Sequence, residues 1–276
     1  MDKVWLITGA NSGFGRAFTE AAVAAGDIVV AAARRPEALT DLVSAHPDRV
    51  EAVRLDVTDQ AAGRAAVDDV IARHGRIDVL VNNAGRTHVG AVEETADDEL
   101  HDLFDVHFFG PAALVRAVLP HMRARRSGAI VQLSSMGGQL SFAGFGAYSA
   151  TKFALEGLSE ALADEVRPLG IKVLIVEPGA FRTGLFGNAS TSGGQFEDYE
   201  PTVGNTRSIV AAGDGTQPGD PAKAAQAVIA ALEAEHTPLR LPLGDDAVEA
   251  VLAHADTMRA EIATWEKTAR ATTFDS

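Results

Sequence analysis

Short apolar runs and stretches with helical patterning alternate along most of this 276-residue chain. Each apolar run is long enough for a buried strand, and the runs lie at 3–8, 27–33, 49–56, 77–82, 129–134, 171–177 and, more weakly, 238–243. The helical stretches between them lie at 15–25, 36–45, 59–74, 97–125, 147–168, 221–235 and 245–267. This alternation predicts an α/β fold with a doubly wound, mainly parallel, seven-stranded sheet and helices on both faces.

One segment, 184–219, departs from the alternation. It is rich in Gly, Ser, Thr, Asn and Asp and carries little periodicity, which predicts a lid or substrate loop. A disordered linker is the alternative. Because the chain after it still supplies a strand and helices for the same sheet, a single domain over 1–276 is preferred to two.

The charge balance bears on possible partners. The chain carries 24 Lys+Arg against 38 Asp+Glu, a net charge of −14, which repels nucleic-acid phosphates and anionic membrane surfaces. It has no cysteine, and its eight histidines lack metal-ligand spacing, so no metal site is predicted. The apolar run near the start is too short for a signal peptide. We therefore expect a cytoplasmic protein without nucleic-acid or membrane partners.

A glycine-rich segment, TGANSGFG, follows the first predicted strand and opens the first helix. Backbone N–H groups at such a helix start favour a pyrophosphate, and glycines permit the tight turn and the close approach of the phosphates. A purely structural turn is the alternative. The segment predicts a dinucleotide site formed by Gly9, Asn11, Ser12, Gly13, Phe14 and Gly15.

The end of the second predicted strand indicates which dinucleotide is bound. An acidic residue there would hold the ribose hydroxyls of NAD, but Ala33 is followed by Arg34 and Arg35. A guanidinium binds a 2′-phosphate through charge-assisted bonds, whereas a carboxylate repels it. NADP(H) is therefore preferred to NAD(H). Arginines on a solvated helix start are the alternative.

A tyrosine and a lysine four residues apart, Tyr148 and Lys152, share one face of a predicted helix. A free phenol titrates near pH ~10 and is a poor base unless a positive charge stabilises the phenolate. Lys152 supplies such a charge, although the pair alone is equally typical of an ordinary surface helix. Ser134 and Ser135 end the fifth predicted strand, where a hydroxyl group can reach a carbonyl group near the tyrosine.

Together these motifs resemble the short-chain dehydrogenase/reductase family. The resemblance covers nearly the whole chain and rests on the glycine loop, Leu55-Asp56-Val57, Asn82-Asn83-Ala84-Gly85, the serine, the Tyr-x-x-x-Lys pair, and Pro178-Gly179 with Thr183. The sequence around Glu177–Thr183 and the extended C-terminal helix are similar to the branch with retinol and 17β-hydroxysteroid dehydrogenases. The family implies a Rossmann-like fold, a small carbonyl or alcohol substrate, and a homo-oligomer, dimer or tetramer.

The resemblance also implies roles for individual residues. Tyr148 would be the general acid/base, Lys152 would lower its pKa and bind the nicotinamide ribose, and Ser135 would orient the substrate carbonyl. Ser135 is preferred to Ser134 because it lies thirteen residues before Tyr148, the usual family separation. The residues implied to line the rest of the cofactor site are Asp56, Val57, Asn83, Ala84, Gly85, Pro178, Gly179 and Thr183.

His107 departs from the family pattern, which has an asparagine of the proton relay at this position. An imidazole could link Lys152 to water, or it could fill space and satisfy a local backbone group. The expected function is NADP(H)-dependent interconversion of a carbonyl and a secondary alcohol by hydride transfer. A catalytically weak NADP(H)-binding sensor or scaffold is the alternative, although such relatives typically lose the Tyr/Lys pair.

Overall fold

Seven strands form one sheet, and all of them are parallel, in the computed structural model, which describes residues 2–274. The strands in this range are β1 (Val4–Thr8), β2 (Ile28–Ala33), β3 (Val50–Arg54), β4 (Val79–Asn82), β5 (His88–Val89), β6 (Gly128–Leu133), β7 (Ile171–Pro178), β8 (Ser190–Thr191) and β9 (Arg240–Leu243). The large sheet has the order β3-β2-β1-β4-β6-β7-β9, while β5 and β8 pair separately. The predicted doubly wound fold is confirmed.

The helices alternate with the strands as the sequence predicts, with ends shifted by a few residues. They are α1 (Gly13–Ala24), α2 (Thr40–Ala45), α3 (Gln60–His74), α4 (Asp97–Phe104), α5 (Gly110–Arg125), α6 (Gly146–Val166), α7 (Asn205–Gly213), α8 (Pro221–Glu233) and α9 (Asp245–Arg270). The stretch predicted as one helix over 97–125 is divided by a π-helical turn at Asp105–Phe109.

Successive residues of each central strand point to opposite faces of the sheet, which divides the core into two apolar layers. Trp5 and Ile7 of β1 pack in the layer that contains Phe18 of α1. Leu6 of β1 packs in the other layer, together with Leu114 of α5. Because both faces are covered, the strands are continuously apolar, as expected for a parallel sheet.

The strand order reverses between β1 and β4, and ligands bind parallel sheets at such a point, beyond the carboxyl ends of the strands. Thr8 ends β1, and its Oγ1 accepts hydrogen bonds from the N–H groups of Asn83 (2.9 Å) and Ala84 (3.0 Å) just after β4. These bonds hold the two loops of the crevice together.

The segment 184–219 is more regular than its composition predicts. It contains β8, a 3₁₀ turn at Glu197–Tyr199, a π-helical turn at Glu200–Gly204 and α7, although the sequence pattern assigns no helix or strand there. Buried contacts explain this order: Val203 and Val210 form a small apolar cluster with Val89 of β5 and with Ala91. Tertiary packing thus stabilises helical structure that local periodicity does not reveal.

The helical stretch Asp97–Arg125 has the length and apolar composition of a membrane span, and it is the one such stretch among residues 2–274. Half of its most apolar window is buried inside the fold. A core helix shows the same properties, so this is weak evidence for a membrane span.

Candidate active site

The glycine loop between β1 and α1 has the backbone that its sequence predicts. Gly9 and Gly13 have positive φ angles of 63° and 53°, which side chains other than glycine rarely adopt. The side chain of Ser12, the N-cap residue of α1, makes no capping hydrogen bond. Among residues 2–274 no side chain therefore caps the N–H groups at the helix start, and these groups remain for an anionic pyrophosphate.

Neighbouring loops hold the glycine loop in place. The Asn83 side chain donates to the carbonyl groups of Thr8 (2.7 Å) and Gly9 (3.2 Å), so this predicted cofactor residue braces the loop. The Phe14 ring packs against that of Phe181 at 5.1 Å between centroids. The Phe14 side chain is thus a packing element, and its backbone remains for a cofactor.

Two arginines stand at the carboxyl end of β2. Arg34 and Arg35 are exposed, and within residues 2–274 neither side chain has a hydrogen-bond or ion-pair partner. Asp56, which follows β3, accepts hydrogen bonds from the backbone and the hydroxyl group of Thr58. The Val57 side chain is buried in the core, so only its backbone can contact an adenine. The two guanidinium groups are available to a phosphate.

Tyr148, Lys152 and Ser135 converge at the carboxyl ends of β4 and β6. Tyr148 and Lys152 lie on consecutive turns of α6, and the Lys152 Nζ atom is 5.6 Å from the centre of the Tyr148 ring. The Lys152 ammonium group donates to the carbonyl group of Leu133 at 2.9 Å. The Ser135 side chain interacts with Tyr148 and lowers the pKa of the phenol. The three predicted residues therefore form one compact set.

Burial dominates the protonation states of this set. It raises the pKa of Tyr148 to about 12, opposed by the hydrogen bond from Ser135. It lowers the pKa of Lys152 to about 8, opposed by the negative charge of Glu156. At neutral pH the chain therefore holds a neutral phenol beside a charged ammonium group, and desolvation sets the direction of the Tyr148 pKa shift.

The two serines after β6 point in different directions. Ser135 accepts a hydrogen bond from the Gly137 N–H group at 3.0 Å, which orients its hydroxyl group beside Tyr148. Ser134 is buried and donates to Glu156 Oε1 at 2.6 Å. The geometry therefore favours Ser135 as the serine that meets a substrate.

His107 is buried in the π-helical turn between α4 and α5, and both of its ring nitrogens have partners. Nε2 accepts the N–H group of Arg86 at 3.1 Å, so Nδ1 carries the hydrogen and donates to Thr151 Oγ1 at 2.9 Å. Its ring also packs edge-on against Tyr148, with centroids 5.5 Å apart. This geometry matches the packing alternative for His107, since neither nitrogen is free to link Lys152 to water.

The protonation of His107 yields a prediction about stability. Burial, together with the charges of Lys152 and Arg86, holds the pKa of His107 well below its ordinary value of 6.5. The unfolded chain binds a proton there below pH ~6.5, whereas the folded chain does not, so stability is present above that pH and is lost as pH falls. His107→Asn should therefore lose less of its thermal stability than the wild type between pH ~7.5 and ~5.5. Parallel Tm curves for the two proteins would contradict this expectation.

The predicted residues after β7 lie beside the glycine loop. A Cβ atom on Gly13 would be 3.1 Å from the Thr183 Cβ atom, so Thr183 lies against the glycine loop. The Gly179 N–H group donates to the carbonyl group of Leu243 at 2.9 Å, and the Asp246 carboxylate accepts the N–H group of Ala180 at 2.7 Å. The start of α9 thus holds the segment after β7, a role that the sequence pattern did not reveal.

Four phenylalanines in the segments after Ser135 and Pro178 make different contacts. Phe145 and Phe186 pack with the apolar cluster of the 184–219 segment, and Phe181 packs on Phe14. Phe142 is 45% exposed in the connection between Ser135 and Tyr148. Phe142 is the most exposed of the four.

Comparison with known proteins agrees with the geometry. The family described as short chain dehydrogenase matches residues 3–193. The chain belongs to the short-chain dehydrogenase/reductase family. It is 39% identical to the oxidoreductase BOA17 of Botryotinia fuckeliana over 97% of this chain and 98% of that protein. A solved short-chain dehydrogenase from Streptomyces avermitilis has 63% identity and a TM-score of 0.94, covering 99% of this chain and 98% of its own.

Three further similar proteins have a stated activity or a bound cofactor. A 3-ketodihydrosphingosine reductase of Bacteroides thetaiotaomicron is 43% identical over 71% of each chain. A metagenomic short-chain oxidoreductase in complex with NADP has 35% identity and a TM-score of 0.61, over 65% of this chain and 83% of its own. A short-chain dehydrogenase/reductase from Burkholderia phymatum in complex with NAD has 25% identity and a TM-score of 0.83, covering 94% of this chain and 95% of its own. Family members of this fold thus bind either dinucleotide.

Proposed function

We propose that this protein is an NADP(H)-dependent oxidoreductase that interconverts a carbonyl group and a secondary alcohol, with Tyr148 as the general acid/base. The observation that carries this proposal is the set of Ser135 with the buried Tyr148 and Lys152, beside a glycine loop suited to a dinucleotide pyrophosphate. The intact Tyr/Lys pair favours an enzyme over a cofactor-binding sensor or scaffold.

The residues of the chain divide the chemistry between them. Ser135 can donate a hydrogen bond to a carbonyl oxygen and so stabilise the negative charge that develops there. Tyr148 can transfer its hydroxyl proton to the same oxygen, and Lys152 places a positive charge beside the resulting phenolate. A bound nicotinamide dinucleotide would supply or accept the hydride. Because Tyr148 rests as a neutral phenol, the site is prepared for reduction of a carbonyl.

The substrate proposed for this site is a ketone with apolar substituents. Phe142 is exposed in the Ser135–Tyr148 connection, and Val92, 82% exposed, lies against Gly146 at the start of α6. The named activity of the Bacteroides thetaiotaomicron relative, reduction of a 3-keto compound, supports this class. We propose that 184–219 acts as the lid of the site. The Thr206 hydroxyl group of this segment donates to the carbonyl group of Ala143 at 2.7 Å, in the connection between Ser135 and Tyr148.

Arg34 is proposed to select NADP(H). In Arg34→Ala the lost charge-assisted contact to a 2′-phosphate should raise KM for NADPH roughly 10- to 150-fold, equivalent to about 1.5–3 kcal/mol, while KM for NADH changes little. Arg54→Ala is the matched control, since Arg54 is also exposed but is paired with Glu37. Equal effects of Arg34→Ala on the two cofactors would exclude this role.

The decisive experiment follows NADPH oxidation with a panel of ketones, aldehydes, steroids and quinones that includes 3-ketodihydrosphingosine. We expect substrate-dependent oxidation and an alcohol product that mass spectrometry identifies, both absent from Tyr148→Phe. Tight binding of NADPH without turnover of any compound would favour the sensor or scaffold. Equal turnover by Tyr148→Phe would overturn the proposed mechanism.

A further inference from the structure

Two buried carboxylates lie one layer behind the proposed site. Glu156 of α6 and Glu177 of β7 are 2% and 0% exposed. Both are 3.2 Å from Nε of Arg240 of β9, the basic group that they share. The Gln139 amide group donates to Glu177 Oε1 at 3.0 Å and also to Glu156. Each acid is therefore held by the same two donors.

The charges of this cluster do not balance unless a proton is retained. Arg240 also pairs with the half-exposed Glu160 at 2.7 Å, so one guanidinium faces three carboxylates. The Oε2 atom of Glu177 is buried and has no hydrogen-bond partner among residues 2–274. An unpartnered carboxylate oxygen in the interior is costly, and two adjacent buried carboxylates favour protonation of one of them. The geometry thus identifies Glu177 as the protonated member.

Glu156 connects the segment that carries Ser135 to the helix that carries Lys152. Its Oε1 atom accepts the Ser134 hydroxyl group, directly before Ser135. A Cβ atom on Gly138 would lie 2.0 Å from the same oxygen, so the carboxylate packs against the backbone of a short 3₁₀ helix, Met136–Gly138, that follows Ser135. Glu156 itself follows Lys152 by one turn of α6. Movement of this carboxylate would therefore move Ser135 relative to α6.

Glu177 connects the same network to the cofactor side. It immediately precedes Pro178–Gly179, the segment implied to hold the nicotinamide amide. Its Oε1 atom accepts a hydrogen bond from Gln139, which is the C-cap residue of the short 3₁₀ helix Met136–Gly138. The network thus joins three segments that meet at the site: 134–139, α6 and 177–179.

We propose that Glu156 and Glu177 are a positioning pair that shares one proton and thereby fixes Ser135 against Tyr148 and the nicotinamide segment. This inference rests on the proposed function for its kinetic consequences, but the shared proton is independent of any substrate. Burial and the charge of Glu156 raise the pKa of Glu177 to about 8, as a proton retained at neutral pH requires. Above that pH a second buried negative charge would repel Glu156 and displace Ser134.

The titratable and charged groups around the pair come from three elements: β9, α6 itself and α9. Arg240 of β9 is the counter-ion, and Lys152 and Glu160 lie one turn before and after Glu156 on α6. From α9, His254 and Arg259 line a shallow groove with Gln139. Lys152 also has a pKa of about 8, so wild-type kinetics alone cannot assign an alkaline step to the pair. The experiment therefore compares isosteric variants.

The shared proton is tested directly by difference infrared spectroscopy of the full chain near neutral pH. We expect a carbonyl-stretch band of a protonated carboxylic acid, lost in Glu177→Gln and retained in Glu160→Gln. Glu160→Gln is the matched control because Glu160 pairs with the same arginine, but among residues 2–274 its side chain has no hydrogen bond or ion pair with 134–139 or 177–179. A wild-type spectrum without this band would overturn the shared proton, whether or not a substrate has been found.

The positioning role is tested by kinetics with the best ketone of the panel. Glu177→Gln mimics the protonated acid, so it should retain kcat near neutral pH and show a shallower alkaline decline. Glu156→Gln places a second amide against Gln139 and should lower kcat roughly ten- to a hundredfold, with KM for NADPH little changed. If Glu156→Gln fails to fold, Ser134→Ala, which removes one hydrogen bond, should lower kcat by a smaller factor. Unaltered kcat and pH profiles in Glu156→Gln, Glu177→Gln and Ser134→Ala would overturn the role.

Discussion

Replacing Tyr148 by Phe should lower kcat by a factor on the order of 10²–10⁴, the usual contribution of a general acid. The change removes only the hydroxyl group, and the ring keeps its contacts with His107 and Phe145. Ser135 keeps its hydrogen bond from the Gly137 N–H group. The fold and the glycine loop should therefore be unaffected. The affinity for NADPH, measured by fluorescence titration, should stay within about twofold, since the glycine loop is the proposed site of the main cofactor contacts.

The chain provides a matched control, because it contains one other tyrosine, Tyr199. The Tyr199 hydroxyl group donates to Glu93 on the exposed side of the 184–219 segment, away from Ser135 and Lys152. Tyr199→Phe should leave kcat unchanged. Similar losses in the two variants would indicate a general effect of removing a tyrosine hydroxyl group. Full turnover by Tyr148→Phe would remove this residue from the mechanism.

The sequence predicts best those features that depend on local spacing. The Tyr148–Lys152 interval places both side chains on one face of α6 whatever surrounds that helix. The apolar runs predict seven parallel strands because a strand buried on both faces tolerates few polar residues. The carboxyl ends of those strands then bring together the glycine loop, Ser135 and the segment after Pro178, although they are far apart in sequence.

Features that depend on tertiary contacts are not visible in local spacing. The partners of His107, the N–H group of Arg86 and the hydroxyl group of Thr151, come from other segments, so the sequence leaves its role open. The regular structure of 184–219 depends on residues of an earlier connection: Glu94, whose side chain accepts the Phe196 N–H group and pairs with Arg207 of α7. Composition therefore predicts irregular structure where buried contacts produce a helix.

The network behind the site shows the same limit. Glu156 follows Lys152 by four residues, a spacing that indicates a shared helix face but not what lies opposite that face. Glu177 ends an apolar run, where a polar residue is typical of a strand terminus. Only the pairing of β7 with β9 brings Arg240 between these two acids. A sequence pattern can suggest each residue, but their shared proton is a property of the fold.

Replacing Gly15 by Ala should disrupt cofactor binding more than any other change of one methyl group in the glycine loop. A Cβ atom at this position would lie 2.2 Å from the carbonyl oxygen of Gly9 and 2.5 Å from the Asn83 side-chain nitrogen. The first of these atoms is backbone, so α1 or the loop must move. Overpacking of this kind costs about 1–3 kcal/mol. If this cost applies to the loop conformation that binds NADPH, Kd for NADPH should rise roughly 5- to 150-fold.

Gly157→Ala distinguishes this clash from the general effect of a helical glycine. Gly157 lies in α6, and a Cβ atom there would meet no heavy atom within 4 Å. Alanine should therefore stabilise α6 by about 0.4–1 kcal/mol and leave the affinity for NADPH unchanged. Isothermal titration with NADPH and thermal unfolding of both variants measure the two effects separately. Because Gly9, Gly15 and Asn83 are packed at contact distance, wild-type affinity in Gly15→Ala would mean that the loop relaxes on binding, and that its fixed shape is not what recognises the dinucleotide.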